Sequence, residues 1–204
     1  SPPRPPYHVH MAEPPAEGSP TISFEFFPPA TPAGWTALDR RIGELVPLEP
    51  SFVSVTYGAA GTTRDRTHDL VERLLKETKL RPVPHLTCVG HRRDEIDRIL
   101  ERYASAGVDT ILALRGDAPT EGSEPVDGDF DFAADLVSHI RSFGERHGHD
   151  FRIGVAGFPE GHPDTPNTPD TLDTLDTPHA LDTLDLGLRL EPNLYRWVIS
   201  KKTK

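Results

Sequence analysis

Five short apolar runs recur along this chain about every 30 residues, the length of one βα unit, with the fourth interval stretched by an acidic, Gly-rich loop, and that spacing restricts the fold more than any other feature. The runs cover residues 22–27, 52–56, 82–89, 110–114 and 151–156. Between them the apolar residues change from strand to helical spacing. Trp35, Leu38, Ile42, Leu45 and Val46 form one such stripe, and Leu70, Val71, Leu74 and Leu75 a second. Ile96, Ile99, Leu100, Tyr103 and Ala104 form a third, with Gly107 placed to stop it. Phe132, Leu136, Val137, Ile140 and Phe143 mark the fourth. Alternating strands and helices with short connections imply an α/β fold with a parallel sheet. An open doubly wound sheet and a (β/α)8 barrel both fit that order. No Gly-x-Gly-x-x-Gly follows the first strand, so a dinucleotide-binding reading has no support.

The polar residues favour the barrel. Glu25, Thr56, His85, Arg115 with Asp117, and Glu160 with His162 fall at or just past the ends of five successive strands. Barrel enzymes build their sites on that rim. Any one polar loop start is unremarkable, but five in register, including an acid, a base and a cation–anion pair, describe a site. Glu25 stands in Ser23-Phe24-Glu25-Phe26-Phe27-Pro28-Pro29, with Ser23 and Phe27 on its own face and Phe24 and Phe26 on the other. A carboxyl in so apolar a run is expected to be buried and either paired or used.

Composition excludes several classes. The net charge of −10 offers no basic surface to nucleic acid or anionic lipid, and no apolar stretch is long enough for a membrane span. A lone cysteine, Cys88, gives no internal disulfide, reads as an inert core thiol and points to a reducing cytoplasmic setting. His85, His91 and His162 lack the spacing of metal ligands, so no metal site is expected. No nucleophile elbow or Ser-His-Asp order appears. Arg115-Gly116-Asp117 reads as a turn whose backbone can approach a ligand closely, rather than as an adhesion tripeptide.

Three segments follow from these patterns. Residues 1–20 hold seven prolines and no apolar period, and are expected to be a disordered lead. Residues 21–163 carry the βα units. Residues 164–204 begin with eight triplets, mostly Asp-Thr-Pro or Asp-Thr-Leu, through residue 187. Period three fits neither helix nor strand, so this tail reads as low complexity.

Six blocks together resemble the methylenetetrahydrofolate reductase family. They are 23–29, 52–58, Arg64-Asp65-Arg66-Thr67, Pro84-His85-Leu86-Thr87-Cys88, 113–117 and 154–163, in order over about residues 21–163. The resemblance implies a TIM barrel, here an incomplete one of about five βα units. It implies FAD as cofactor and NADH or NADPH as hydride donor. The reaction would reduce 5,10-methylenetetrahydrofolate to 5-methyltetrahydrofolate, for methionine synthesis. By resemblance Glu25 is the general acid that protonates the folate N10, a task suited to a carboxyl in an apolar setting, where the protonated form is favoured. Asp117 would stabilise the cationic iminium that follows. Thr56, His85, Arg115, Gly116, Asp117, Phe132, Ala133, Phe158 and His162 fall where the family contacts FAD. Phe132 and Phe158 keep an aromatic face at positions where tyrosine also occurs. Self-association is a further family property. Beyond residue 163 the triplet tail replaces the family's pattern, so the competing expectation is a truncated, catalytically inactive chain with a partial flavin surface. Such a chain would bind FAD poorly and leave its first and fifth strands as open edges.

Overall fold

A computed structural model describes residues 22–57, 64–116, 127–157 and 196–198. The elements, in order, are β1 (Ser23–Phe26), α1 (Pro32–Leu45), a 3-10 turn (Val46–Leu48), β2 (Phe52–Val55), α2 (Arg64–Glu77), β3 (Pro82–Thr87), α3 (Arg93–Ala106), β4 (Thr110–Leu114), α4 (Ala133–His147), β5 (Arg152–Gly157) and β6 (Arg196–Val198). All six strands are parallel and stand in chain order from β1 to β6. Five βα-type units were expected, and the short β6 is an addition, paired to β5 from within the tail. β5 therefore has a neighbour on both sides, whereas among the described residues β1 is the last strand on its side of the sheet.

The helices start and stop where local chemistry dictates. Thr31 Oγ1 accepts from Gly34 N at 3.1 Å and Pro32 opens α1, the position that tolerates a missing N–H. Gly107 adopts φ +88° and ends α3, with its own N–H on Ala104 O and the N–H of Val108 on Tyr103 O. α4 begins one residue later than its apolar spacing suggests. Asp135 Oδ2 accepts from the N–H groups of Asp131 and Phe132, which fixes Phe132 as the cap, outside the helix and 41% exposed. Phe130 takes the buried place instead.

Register separates two sheet faces. Phe26, Val53, Val55, Leu86, Ile111, Ala113, Ile153 and Val155 pack against the helices, with Leu70, Leu74, Leu100, Tyr103, Leu136, Ile140 and Phe143. Their neighbours along each strand point the opposite way. Glu25 pairs with Ser54, Ser54 with Val83, and His85 with Leu112, so these belong to the second face. Pro82 and Pro84 have no N–H to donate, and the ladder from β3 to β4 starts just beyond them at His85. Among the described residues no helix is long and apolar enough to cross a membrane.

Candidate active site

Three neighbouring strands line up a carboxyl, a hydroxyl and an imidazole on the face away from the helices. Ser54 Oγ donates to Glu25 Oε2 at 3.3 Å. His85 Nε2 lies 3.5 Å from the same oxygen. That nitrogen is buried and has no partner with hydrogen-bond geometry, so the contact to Glu25 is close without being a formed bond. Burial pushes His85 down from its ordinary value to about 4, which keeps the ring neutral near pH 7. The pair is then an imidazole beside a carboxyl rather than a salt bridge.

Glu25 departs from expectation in its surroundings. Its side chain is 47% exposed, not buried. Among the described residues β1 is the outermost strand, and the helices cover its Phe24 and Phe26 side. Phe27, which shares the Glu25 face just past the strand, is 68% exposed. A ligand lying across β1 to β3 would therefore meet the carboxyl directly, with Ser54 and His85 beneath it.

The strand ends carry the other candidates. Thr56 follows β2, with its N–H on Phe26 O at 3.0 Å and its carbonyl taking the Thr67 hydroxyl at 2.9 Å. Arg115 follows β4, and its Nε is a second buried nitrogen with no hydrogen-bond partner among the described residues. The carbonyl of Arg115 accepts from the N–H groups of Cys88 and Val89 at 3.2 and 2.9 Å, and from Cys88 Sγ at 3.5 Å. Cys88 is buried in the core, as its setting implied. Gly116 has φ +89°, and a Cβ there would stand 3.0 Å from Thr87 Cβ, so the turn crosses the end of β3 where only glycine fits. Its backbone approaches Thr87, a protein neighbour.

Phe132 and Ala133 occupy the start of α4. Phe132 is exposed, while Ala133 is buried in the helix-side core. Asp117, Phe158, Glu160 and His162 lie outside the described residues.

Sequence reasoning missed a buried polar group behind the rim. His91 Nδ1 donates to Val89 O and its Nε2 meets the Tyr57 hydroxyl, both at 3.1 Å. His68 Nδ1 meets the Tyr103 hydroxyl at 2.9 Å. Burial lowers His68 to about 4 and pushes Tyr103 up, so a neutral ring and a neutral phenol face each other across this contact. His68 precedes Val71 by three and Leu75 by seven, which places it on the inner stripe of α2, the one available signal.

The family model described as methylenetetrahydrofolate reductase matches residues 10–178. A 5,10-methylenetetrahydrofolate reductase of Pectobacterium carotovorum is 44% identical over 148 residues, covering 72% of this chain and 47% of the relative. That of Escherichia coli is 40% identical over the same length, also covering 47% of the relative. Methylenetetrahydrofolate reductase (NADH) 1 of Arabidopsis thaliana is 42% identical over 151 residues, a quarter of its length. The chain thus spans about half the length of its bacterial relatives and less of the plant one. Over the length it does span, the chain belongs to the methylenetetrahydrofolate reductase family.

Proposed function

We propose that this chain carries the proton-donating part, and a share of the flavin surface, of an enzyme that reduces 5,10-methylenetetrahydrofolate to 5-methyltetrahydrofolate with NADH or NADPH. The observation that carries this reading is the Glu25–Ser54–His85 row, open on the side away from the helices, in a chain of this family. FAD suits the residues present. Among the described residues two buried side-chain nitrogens, His85 Nε2 and Arg115 Nε, have no hydrogen-bond partner, and ligand atoms beside them would offset their desolvation. Thr56 and Gly116 flank them at the strand ends, and Phe132, Ala133, Phe158 and His162 belong to the same proposed surface. When bound there, FAD would supply the hydride chemistry that links the nicotinamide to the folate.

The residues of the chain do the rest. Glu25, reachable from solvent, gives its proton to the folate N10, and the Ser54 hydroxyl orients its Oε2. Neutral His85 adds no positive charge beside the carboxyl. Asp117 stabilises the cation formed on ring opening, and Asp117→Asn is expected to slow folate reduction by about tenfold or more. A cytoplasmic setting, a homo-oligomeric state and a role in methionine synthesis belong to the same proposal.

A second reading, a partial flavin-binding unit without turnover, is favoured by the outer edge of β1, which has no paired strand among the described residues. Purifying the 204-residue chain and measuring flavin absorbance with folate turnover separates the two. Stoichiometric yellow protein that turns over supports the enzyme reading. Bound flavin with no turnover supports the second, and a colourless chain that stays unloaded with added FAD contradicts both.

A further inference from the structure

We infer that the turn Cys88–His91 is a tie that holds the ends of β2 and β4 in fixed relation, with His91 as its positioning residue. The turn closes through His91 N to Cys88 O at 3.1 Å, with Gly90 at φ +70°. Its first half grips β4, since the N–H groups of Cys88 and Val89 both reach Arg115 O. Its last residue grips β2. His91 Nδ1 donates to Val89 O, and the other ring nitrogen, Nε2, meets the Tyr57 hydroxyl at 3.1 Å. Tyr57 adjoins Thr56, whose own N–H and carbonyl are fixed to Phe26 and Thr67. Both gripped segments carry residues of the proposed flavin surface, Thr56 on one and Arg115 with Gly116 on the other.

The tie is also clamped from outside. Asp129 N donates to His91 O, and Asp129 Oδ2 accepts from Arg93 N, each at 2.9 Å. Arg92 pairs with Asp127 at 2.7 Å. A Cβ on Gly128 would stand 3.1 Å from both His91 N and His91 O. His91 is 1% exposed, so neither water nor a mobile side chain can replace the contact to Tyr57. A single residue therefore connects three loops that local sequence leaves independent.

Hydrogen exchange on the 204-residue chain tests this. The reporters are the amides of Thr56, bonded to Phe26 O, and Val89, bonded to Arg115 O. Val53, bonded to Arg81 O, and Arg152, bonded to Asp109 O, serve as controls. His91→Phe and Tyr57→Phe are each expected to lower protection of both reporters by about tenfold, the scale of one lost hydrogen bond, with the controls unchanged. His91→Gln, which keeps an acceptor and a donor, should restore most of it. Gly128→Ala removes no hydrogen-bonding group and should move the same two amides by displacing the turn, a second route if His91→Phe does not fold. Loss at Thr56 without Val89, or an equal loss at all four amides, overturns the tie. FAD titration of the same variants adds an arm that rests on the proposed function, with affinity expected to weaken about tenfold alongside the exchange. The exchange pattern without any change in flavin binding would sink the assignment of the flavin surface and leave the tie standing.

Discussion

Glu25 and His85 share a sheet face but not an environment, and the difference divides their roles. His85 is held neutral by burial, whereas Glu25 faces outward. His68, on the helix side, is also lowered to about 4. For both histidines the folded value lies below the unfolded one near 6.5, so the unfolded chain binds the extra protons. Their stabilising contribution is complete above pH 6.5 and is lost as pH falls toward 4. Urea unfolding at pH 7 and pH 5 should show stability falling by about 2 kcal/mol per histidine, and His68→Asn should remove about half of that slope. An unchanged midpoint over this range would mean that neither ring is held neutral. Gly116 is the second sensitive residue. Gly116→Ala combines a left-handed backbone with a contact to Thr87, and should cost about 1–3 kcal/mol by thermal or urea melts. The alternation that sets Glu25 opposite Phe24 and Phe26 is readable from β1 alone. Its exposure is not, because that depends on which strands and helices come to lie beside it.

At the scale of elements, the order of strands and helices could be read because each apolar stripe is local. The exact start of α4 could not. Phe130 and Phe132 are equally apolar, and the choice between them is made by Asp135 accepting from two backbone N–H groups. Asp135→Ala should therefore destabilise the protein by about 1 kcal/mol in urea melts, and Asp135→Asn by less, since it keeps an acceptor oxygen. Equal losses in the two variants would argue for charge rather than the hydrogen bonds. The His68–Tyr103 and Tyr57–His91 pairs span 35 and 34 residues, beyond any local pattern. β6 escaped notice for a related reason. Three residues in a biased tail carry no period of their own, and the strand exists through its pairing with β5.

At the scale of the whole molecule, one layer of helices covers one face of the described sheet, and the row of polar side chains stands on the other. Register brings Glu25, Ser54 and His85 together there, while Thr56, Arg115 and Gly116 follow at the strand ends. The decisive question is whether that face performs the proton transfer. Glu25→Gln keeps the size of the side chain and an acceptor for Ser54, but removes the proton. Stopped-flow measurement of the two half-reactions, in protein extended to the length of the bacterial relatives, tests it directly. If Glu25 is the proton donor, flavin reduction by the nicotinamide stays within about twofold and folate reduction falls by at least about a hundredfold, the low end for losing a general acid. Folate reduction at the parent rate would contradict it.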